Sequence, residues 1–255
     1  MATFLFDEII FGPVTSRRLG RSLGINLLPT NSKVCNFNCI YCECGLTDSI
    51  EGELPTRKQV ASKLESTLKD FKTRSSEIDT ITFAGNGEPT LHPEFDKIID
   101  DTYSLRNKYF PGAKIALLTN STTLINIKIL DTLKKIDQPI LKIDSVHHKT
   151  IELLNCPIGE FDIKEIINII KKMSDPIIQT MFVKGTYNDI PIDNTTDYEI
   201  NPWLKTIIEI NPKLVMIYTI ERDTPFDTLK KIPMKKLNDI AKMVEENNIS
   251  VQISA

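Results

Sequence analysis

Long hydrophobic runs are missing from this sequence. No stretch approaches the roughly 20 apolar residues that a membrane-crossing helix requires. The opening MATFLFDEIIFGP has no basic segment ahead of an apolar one, which argues against a secretory leader. An excess of one charge is missing too: 31 Lys and Arg face 34 Asp and Glu, a formal charge of −3, so nothing pulls the whole chain toward nucleic acid or an anionic membrane. That balance leaves a local basic patch open. Repeats, low-complexity tracts and Gly/Ser linkers are absent, so one domain spanning 1–255 is the expectation. Histidine is scarce, with only His92, His147 and His148. The five cysteines do not form the two separated pairs usual for structural zinc. Four of them fall within ten residues, which argues against a disulfide framework and for a metal site in a reducing compartment, hence the cytoplasm.

What is present is an alternation of short apolar runs and amphipathic segments. Residues 22–28, 80–84, 114–119, 140–143, 177–183 and 214–220 read as strands, with 250–253 as a short last one. Helices are expected over 56–71, from Pro93 through Leu105, and over 125–136, 163–173, 201–210 and 234–246. Thr56-x-x-Gln59 forms a capping box at the first of these, and Asn201-Pro202 reads as a cap with a first-turn proline. Continuously apolar strands joined by helical crossovers describe a parallel sheet covered on both faces. Six β/α units are too few for a closed eightfold barrel. The α/β class is therefore read as a partial (β/α)6 TIM-like barrel, with a flat doubly wound sheet as the competitor. Residues 1–21 are expected to be an N-terminal extension packing on it.

Polar residues follow each strand end, where parallel α/β folds build their sites. After the first strand come Cys35, Cys39 and Cys42, spaced Cys-x3-Cys-x2-Cys with Tyr41 before the third. Three thiolates at this spacing can hold three irons of a cubic cluster and leave the fourth iron open, whereas four would close it as an electron carrier. Zinc on Cys35, Cys39, Cys42 and Cys44 is the alternative. Gly85-Asn86-Gly87-Glu88-Pro89 follows the second strand, where missing Cβ atoms allow close approach of a ligand. It is not a dinucleotide fingerprint, because Thr90 stands where the last glycine would be.

The cysteine spacing with its aromatic residue is similar to the signature of radical S-adenosylmethionine (SAM) enzymes. The blocks FGPVTSRRLGRSLGINLLP, FAGNGEPTLHPEF, LLTNSTTL and MIYTIERDTP extend the likeness along nearly the whole chain. They resemble uncharacterised members of that superfamily grouped with tRNA wyosine (4-demethylwyosine) synthase. The resemblance implies a 4Fe–4S cluster on Cys35, Cys39 and Cys42, with SAM chelating the open iron. It further implies reductive cleavage of SAM to a 5′-deoxyadenosyl radical that abstracts hydrogen from substrate, driven by an external donor such as flavodoxin or ferredoxin.

Carried over residue by residue, the resemblance places the SAM amino group at Gly87-Glu88, with Gly85, Asn86 and Tyr41 alongside; Asn86 stands where the family has a glycine. Asn120 and Ser121, after the third strand, suit ribose hydroxyls or the SAM carboxylate, or else a helix cap. Asp144 and Gln179 are further candidates for SAM or substrate. The wyosine synthases that use a second cluster draw cysteines from ahead of the first, and none precede Cys35 here. Cys44 lies near enough to crowd the cluster, and Cys156 reads as a small buried residue. Arg17, Arg18 and Arg21 could grip a phosphate or carboxylate, or be surface charge. His147-His148 reads as a solvated loop pair, and His92 as local structure. The substrate, a small molecule, peptide or tRNA base, is not specified. A glycyl-radical activase acting on a partner protein and a non-catalytic metal scaffold are the alternative functions.

Overall fold

The computed structural model describes residues 4–47 and 52–254. Its main sheet is built from β1 (Ile10–Ser16), β2 (Gly20–Ile25), β3 (Thr80–Phe83), β4 (Lys114–Thr119), β5 (Gln138–Lys142), β6 (Ile177–Met181), β9 (Leu214–Tyr218) and β11 (Val251–Ser254). These eight strands lie in that spatial order. Every neighbouring pair from β2 onward is parallel; β1 runs antiparallel to β2. The sheet curls into a half-barrel. The helices covering it are α1 (Arg57–Thr73), α2 (Phe95–Tyr109), α3 (Ile127–Leu133), α4 (His148–Leu154), α5 (Ile163–Ile170), α6 (Asp197–Ile210) and α7 (Met234–Glu245). None of the described helices is long and apolar enough to cross a membrane.

Side chains alternate across a strand, and here that alternation sorts two interiors. Leu23, Ile25, Ile81, Phe83, Ile115, Leu117, Leu141, Ile143, Ile178, Val215 and Ile217 face the helices and form the large core. The other face is small or polar near β2 and β3, where the Ser22 and Thr82 hydroxyls meet at 2.7 Å. Toward β4–β9 it carries Ala116, Ile140, Ile177 and Met216, which share a small apolar cluster with Leu19 from the β1–β2 turn. That turn therefore plugs the lumen at the amino ends of the strands.

Several local expectations change. Residues 10–16 form a sheet strand that the sequence hides, because four of its seven residues are exposed and no alternation shows. Gly24 on β2 is required by β1: a Cβ there would lie 2.1 Å from the Phe11 ring. The stretch 186–202 contributes to a second small sheet, with β7 (Val183–Tyr187) between β8 (Ile190–Asp193) and β10 (Lys230–Lys231). Pro93 precedes its helix, which begins at Phe95 with Glu94 as cap.

Helix α6 begins at Asp197, so Pro202 is interior rather than first-turn. A proline removes the bond to the carbonyl four residues back. That carbonyl, on Tyr198, is 3.0 Å from His147 Nε2, and the two rings stack at 4.2 Å. His147 is thus engaged, not solvated. His92 is local structure as expected, with Nε2 at 2.9 Å from the Pro55 carbonyl and Nδ1 accepting from the Glu94 amide.

Candidate active site

The cysteine loop follows β2 and is held from two sides. On one side Val34 pairs with Gly87 in a parallel bridge: the Val34 amide donates to the Asn86 carbonyl at 2.9 Å, and the Glu88 amide to the Val34 carbonyl at 3.1 Å. Gly87 has φ +134°, and a Cβ there would lie 1.9 Å from the Val34 oxygen. On the other side the segment after α4 pairs with the loop. The Asn38 amide donates to Cys156 O (3.1 Å), the Ile40 amide to Leu154 O (3.0 Å) and the Ile158 amide to Asn36 O (2.8 Å).

Each of the three sulfurs meets a donor from outside its own residue. Cys35 Sγ accepts from the Phe37 amide (3.4 Å) and lies 3.7 Å from Asn120 Nδ2. Cys39 Sγ lies 3.4 Å from Asn155 Nδ2. Cys42 is addressed by the Cys44 thiol and by Lys33. Burial pushes the Cys35 thiol up to about 12 and the Cys39 thiol up to about 11. Cys42 is lowered, first because Cys44 donates to it, with Lys33 adding to the effect. Lys33 is 4% exposed and bonds the Gly45 carbonyl at 2.8 Å. Burial lowers its pKa, but the surrounding cysteines outweigh that and raise it on balance.

Burial favours the neutral forms of Cys35 and Cys39, but a buried lysine and an N–H or S–H donor for every sulfur suit the thiolates that iron ligation would require. Hydrogen bonds to sulfur are also a lever on cluster potential. Among the described residues no three His, Cys, Asp or Glu side chains converge closely enough to share one metal ion. A cubic cluster asks instead for one iron per thiolate. The donor set therefore fits the 4Fe–4S group.

The other sequence candidates gather at the same rim in differing roles. Glu88 is 2% exposed and ties β3 to β4. Its Oε1 accepts from the Thr90 amide (3.1 Å), the Thr90 hydroxyl and the Thr119 hydroxyl (2.8 Å), and its Oε2 from the Asn120 amide (2.7 Å). Burial raises its pKa despite these donors. Asn86 donates to the Phe6 and Pro29 carbonyls (2.9 and 2.8 Å) and accepts from the Phe6 amide, so its side chain is a knot holding the N-terminal segment. The Gly85 carbonyl is 3.5 Å from Cys44 Sγ. Asn120 Nδ2 donates to Asn36 Oδ1 at 2.7 Å, locking the cysteine loop, while Ser121 takes φ +70° and is wholly buried.

Tyr41 and Asp144 are hydrogen-bonded to each other. Burial, then the Asp144 charge, holds the Tyr41 phenol well above its usual range. Asn155 Nδ2 lies 2.7 Å from Asp144 Oδ2 and 2.9 Å from Tyr41 Oη, and the Met181 amide donates to Asp144 Oδ1 at 2.8 Å. Lys142 Nζ is 3.4 Å from Asp144 Oδ1 and 2.7 Å from Tyr218 Oη. Gln179 is 6% exposed, and its Nε2 is buried without a partner among the described residues.

Sequence reasoning missed Lys33, Lys142 and Asn155. Lys142 and Asp144, two apart at the end of β5, carried a signal: in a strand they share a face. Asn155 carried none, since α4 went unread. The three arginines separate. Arg21 is bidentate on Asp79 and also meets Glu77; Arg17 pairs with Glu221 at 3.1 Å. Arg18 turns inward, its Cζ 4.9 Å from the Tyr218 ring centroid.

Known proteins share both sequence and architecture with this chain. A UPF0026 protein of Helicobacter pylori strain J99 is 31% identical over 230 residues, 87% of this chain and 69% of that protein. A Brachyspira hyodysenteriae protein described as GTPase Obg is 30% identical over 251 residues, 96% of this chain. The chain spans only 34% of that protein's length, and it contains no GxxxxGK[ST] phosphate loop. Among solved structures, Streptococcus suis SuiB bound to S-adenosylmethionine aligns with a TM-score of 0.65 at 17% identity, over 91% of this chain and 50% of SuiB. An archaeal TYW1 aligns with a TM-score of 0.54 at 17% identity, over 89% of this chain and 72% of that one. The sequence model of the radical SAM superfamily matches residues 32–198. That segment contains all three loop cysteines and the Gly85–Glu88 clamp, and the chain belongs to the radical SAM superfamily, whose cofactors are a 4Fe–4S cluster and SAM.

Proposed function

We propose that this chain is a radical SAM enzyme in which Cys35, Cys39 and Cys42 hold the cluster and SAM lies across the strand ends beside them. The observation that carries this reading is the set of three sulfurs, each supplied with its own donor and fixed by backbone pairing to Gly87. Bound there, cluster and SAM supply one-electron cleavage of a sulfonium and a carbon radical able to take hydrogen from substrate; the hard chemistry is the cofactors'.

The chain's own contribution is placement. Val34, Asn120 and Asn155 fix the loop, Lys33 offsets negative charge, and the Phe11 ring, stacked on Phe6, sits against Gly24 of β2. Candidate SAM contacts are Tyr41, Gly85, Asn86, Gly87, Glu88, Asn120, Ser121, Asp144 and Gln179. For Asn86 and Glu88 the side chains and the backbone N–H groups are both engaged, so what they can offer a ligand is the second lone pair of each carbonyl. In this reading residues 1–255 act as one domain in the reducing cytoplasm, reduced by a carrier such as flavodoxin or ferredoxin. The reaction is of oxidoreductase or lyase type on an unidentified substrate.

Anaerobic reconstitution with iron and sulfide tests this. A brown protein is expected that binds SAM in titration calorimetry and releases 5′-deoxyadenosine only when reduced, with all three properties lost in Cys39→Ala. A protein that stays iron-free, or that binds iron and not SAM, would refute the assignment.

A further inference from the structure

Three buried donors on the lumen face have no partner among the described residues: Arg18 Nη1, Gln179 Nε2 and the Ser254 hydroxyl, the last in register with Tyr218. Most buried polar groups are bonded, so each orphan asks for an explanation, and an unmet charged donor costs most. Arg18 and Gln179 belong to the same wall. Ile178 packs in the outer core, and Thr180 outside the barrel accepts from Trp203 Nε1 at 3.1 Å. Gln179, between them, points inward. It stands in register with Lys142 on β5 and Met216 on β9. Leu19 shares a buried cluster with Met216 and Ile177. The next residue back, Arg18, stacks on Tyr218, two along from Met216 on the same face. Lys142 reaches that same Tyr218 through its hydroxyl.

The charge there is unbalanced. Among the described residues, Arg18 and Lys142 bring two cations against one carboxylate, Asp144. Asp144 already accepts from Tyr41, Asn155 and the Met181 amide. Arg17 and Arg21 have carboxylate partners of their own. We propose that Arg18 and Gln179, with Lys142 beside them, bind an oxyanion of the substrate, so that the substrate is a small molecule bearing a carboxylate or a phosphate. A guanidinium edge is suited to either anion, and the side-chain amide adds a neutral donor.

The position favours substrate over cofactor. Gln179 lies in the body of β6, and Lys142 is the last residue of β5, two residues below Asp144 on the same face; both are toward β9. The cysteine loop, Gly85–Glu88 and Asn120 stand at the ends of β2–β4. The inference rests on the radical SAM reading for calling the ligand a substrate, but its binding test does not.

Equilibrium dialysis of the reconstituted protein against labelled inorganic phosphate and labelled acetate, each with and without saturating SAM, decides it. Binding of at least one anion is expected, unchanged by SAM and weakened at least tenfold in both Arg18→Met and Gln179→Leu. Arg21→Met should bind as the parent does. Phosphate alone would mark a phosphate ester, and acetate alone a carboxylic acid. If Arg18→Met does not fold, Gln179→Leu carries the test, since it removes an orphan donor without adding bulk. Three results overturn the proposal: no binding of either anion, equal binding by the folded variants, or displacement by SAM, which would assign the donors to the cofactor's own carboxylate. A parent protein that binds anion but not SAM would instead sink the radical SAM reading and leave the anion site standing.

Discussion

The carbonyl oxygen of Val34 occupies the place where a side chain on residue 87 would begin, 1.9 Å from the ideal Cβ. Gly87 is therefore the condition for the backbone pairing that fixes the cysteine loop. Gly87→Ala must move that loop or distort its own φ of +134°, a strain on the order of 1–3 kcal/mol. In a chain this size each kcal/mol shifts Tm by roughly 2–4 °C, so a fall of up to about 10 °C is expected, with loss of iron on reconstitution. Gly112→Ala is the control: its Cβ meets nothing within 4 Å, and a neutral or slightly higher Tm is expected. Calorimetry and iron analysis on the two variants read both effects.

Lys142 and Asp144 form a pair shut almost entirely from water, with side-chain exposures of 13% and 0%. Breaking a buried pair by removing one partner costs about 3–5 kcal/mol, because the remaining charge is uncompensated. Asp144→Ala should approach that loss in urea denaturation, and Lys142→Met should cost clearly less, since Asp144 keeps three other donors. The pH dependence has a definite sign. Burial lowers the Lys142 pKa, but Asp144 and Tyr218 outweigh it and raise the net value above the ordinary one. Its stabilisation is present below the unfolded value of about 10.4 and is lost as pH rises beyond it. Alkaline destabilisation should therefore be shallower in Lys142→Met than in the parent; equal slopes would show that Lys142 contributes nothing to that limb.

The parallel strands were legible because their helix-facing residues, such as Ile81, Phe83, Ile115 and Leu117, are apolar and their bounds are marked by glycine or polar loops. The cysteine loop was legible from spacing alone. Strand β1 was not, because its exposed side chains leave no pattern and its partner is fixed by a turn rather than by burial. The lumen was half legible. Gln179 stood out as a polar residue inside an apolar strand, yet its neighbours Lys142, Tyr218 and Arg18 come from segments up to about 200 residues apart in sequence. Only the strand order and curl bring them together. The side-chain bonds of Asn86 and Glu88 were hidden for a related reason: a motif tells which residues stand near a ligand, and not which of their atoms are already bonded.

Arg21 and Asp79 give a second pH test at the amino end of the barrel. Hydrogen bonds from the Arg21 side chain and then from its amide hold the Asp79 carboxyl down to about 2. A lowered carboxylate stabilises the fold above its unfolded pKa, near 3.9, and that contribution is lost as pH falls through about 2. In a carbon-13 titration Asp79 should protonate near pH 2 in the parent and move toward 4 in Arg21→Leu. SAM binding should not change in that variant, because Arg21 is spent on Asp79 and Glu77 and lies away from the rim. A midpoint unmoved by Arg21→Leu would mean that the ion pair does not persist in solution.

Pro202 inside α6 and His147 before α4 form a pair whose energies should depend on each other. The proline has no N–H for the Tyr198 carbonyl, and His147 Nε2 supplies a donor at 3.0 Å instead. One net hydrogen bond is worth about 0.5–1.5 kcal/mol, and this one is on an exposed face, so His147→Ala should cost toward the lower end. In a Pro202→Ala background the helix can satisfy Tyr198 internally, and the same His147→Ala change should then cost less. A double-mutant cycle measured by urea unfolding isolates the coupling from the ring stacking, which both backgrounds retain. Coupling of at least about 0.5 kcal/mol is expected. Strict additivity would show that water, not the imidazole, serves the carbonyl that the proline leaves free.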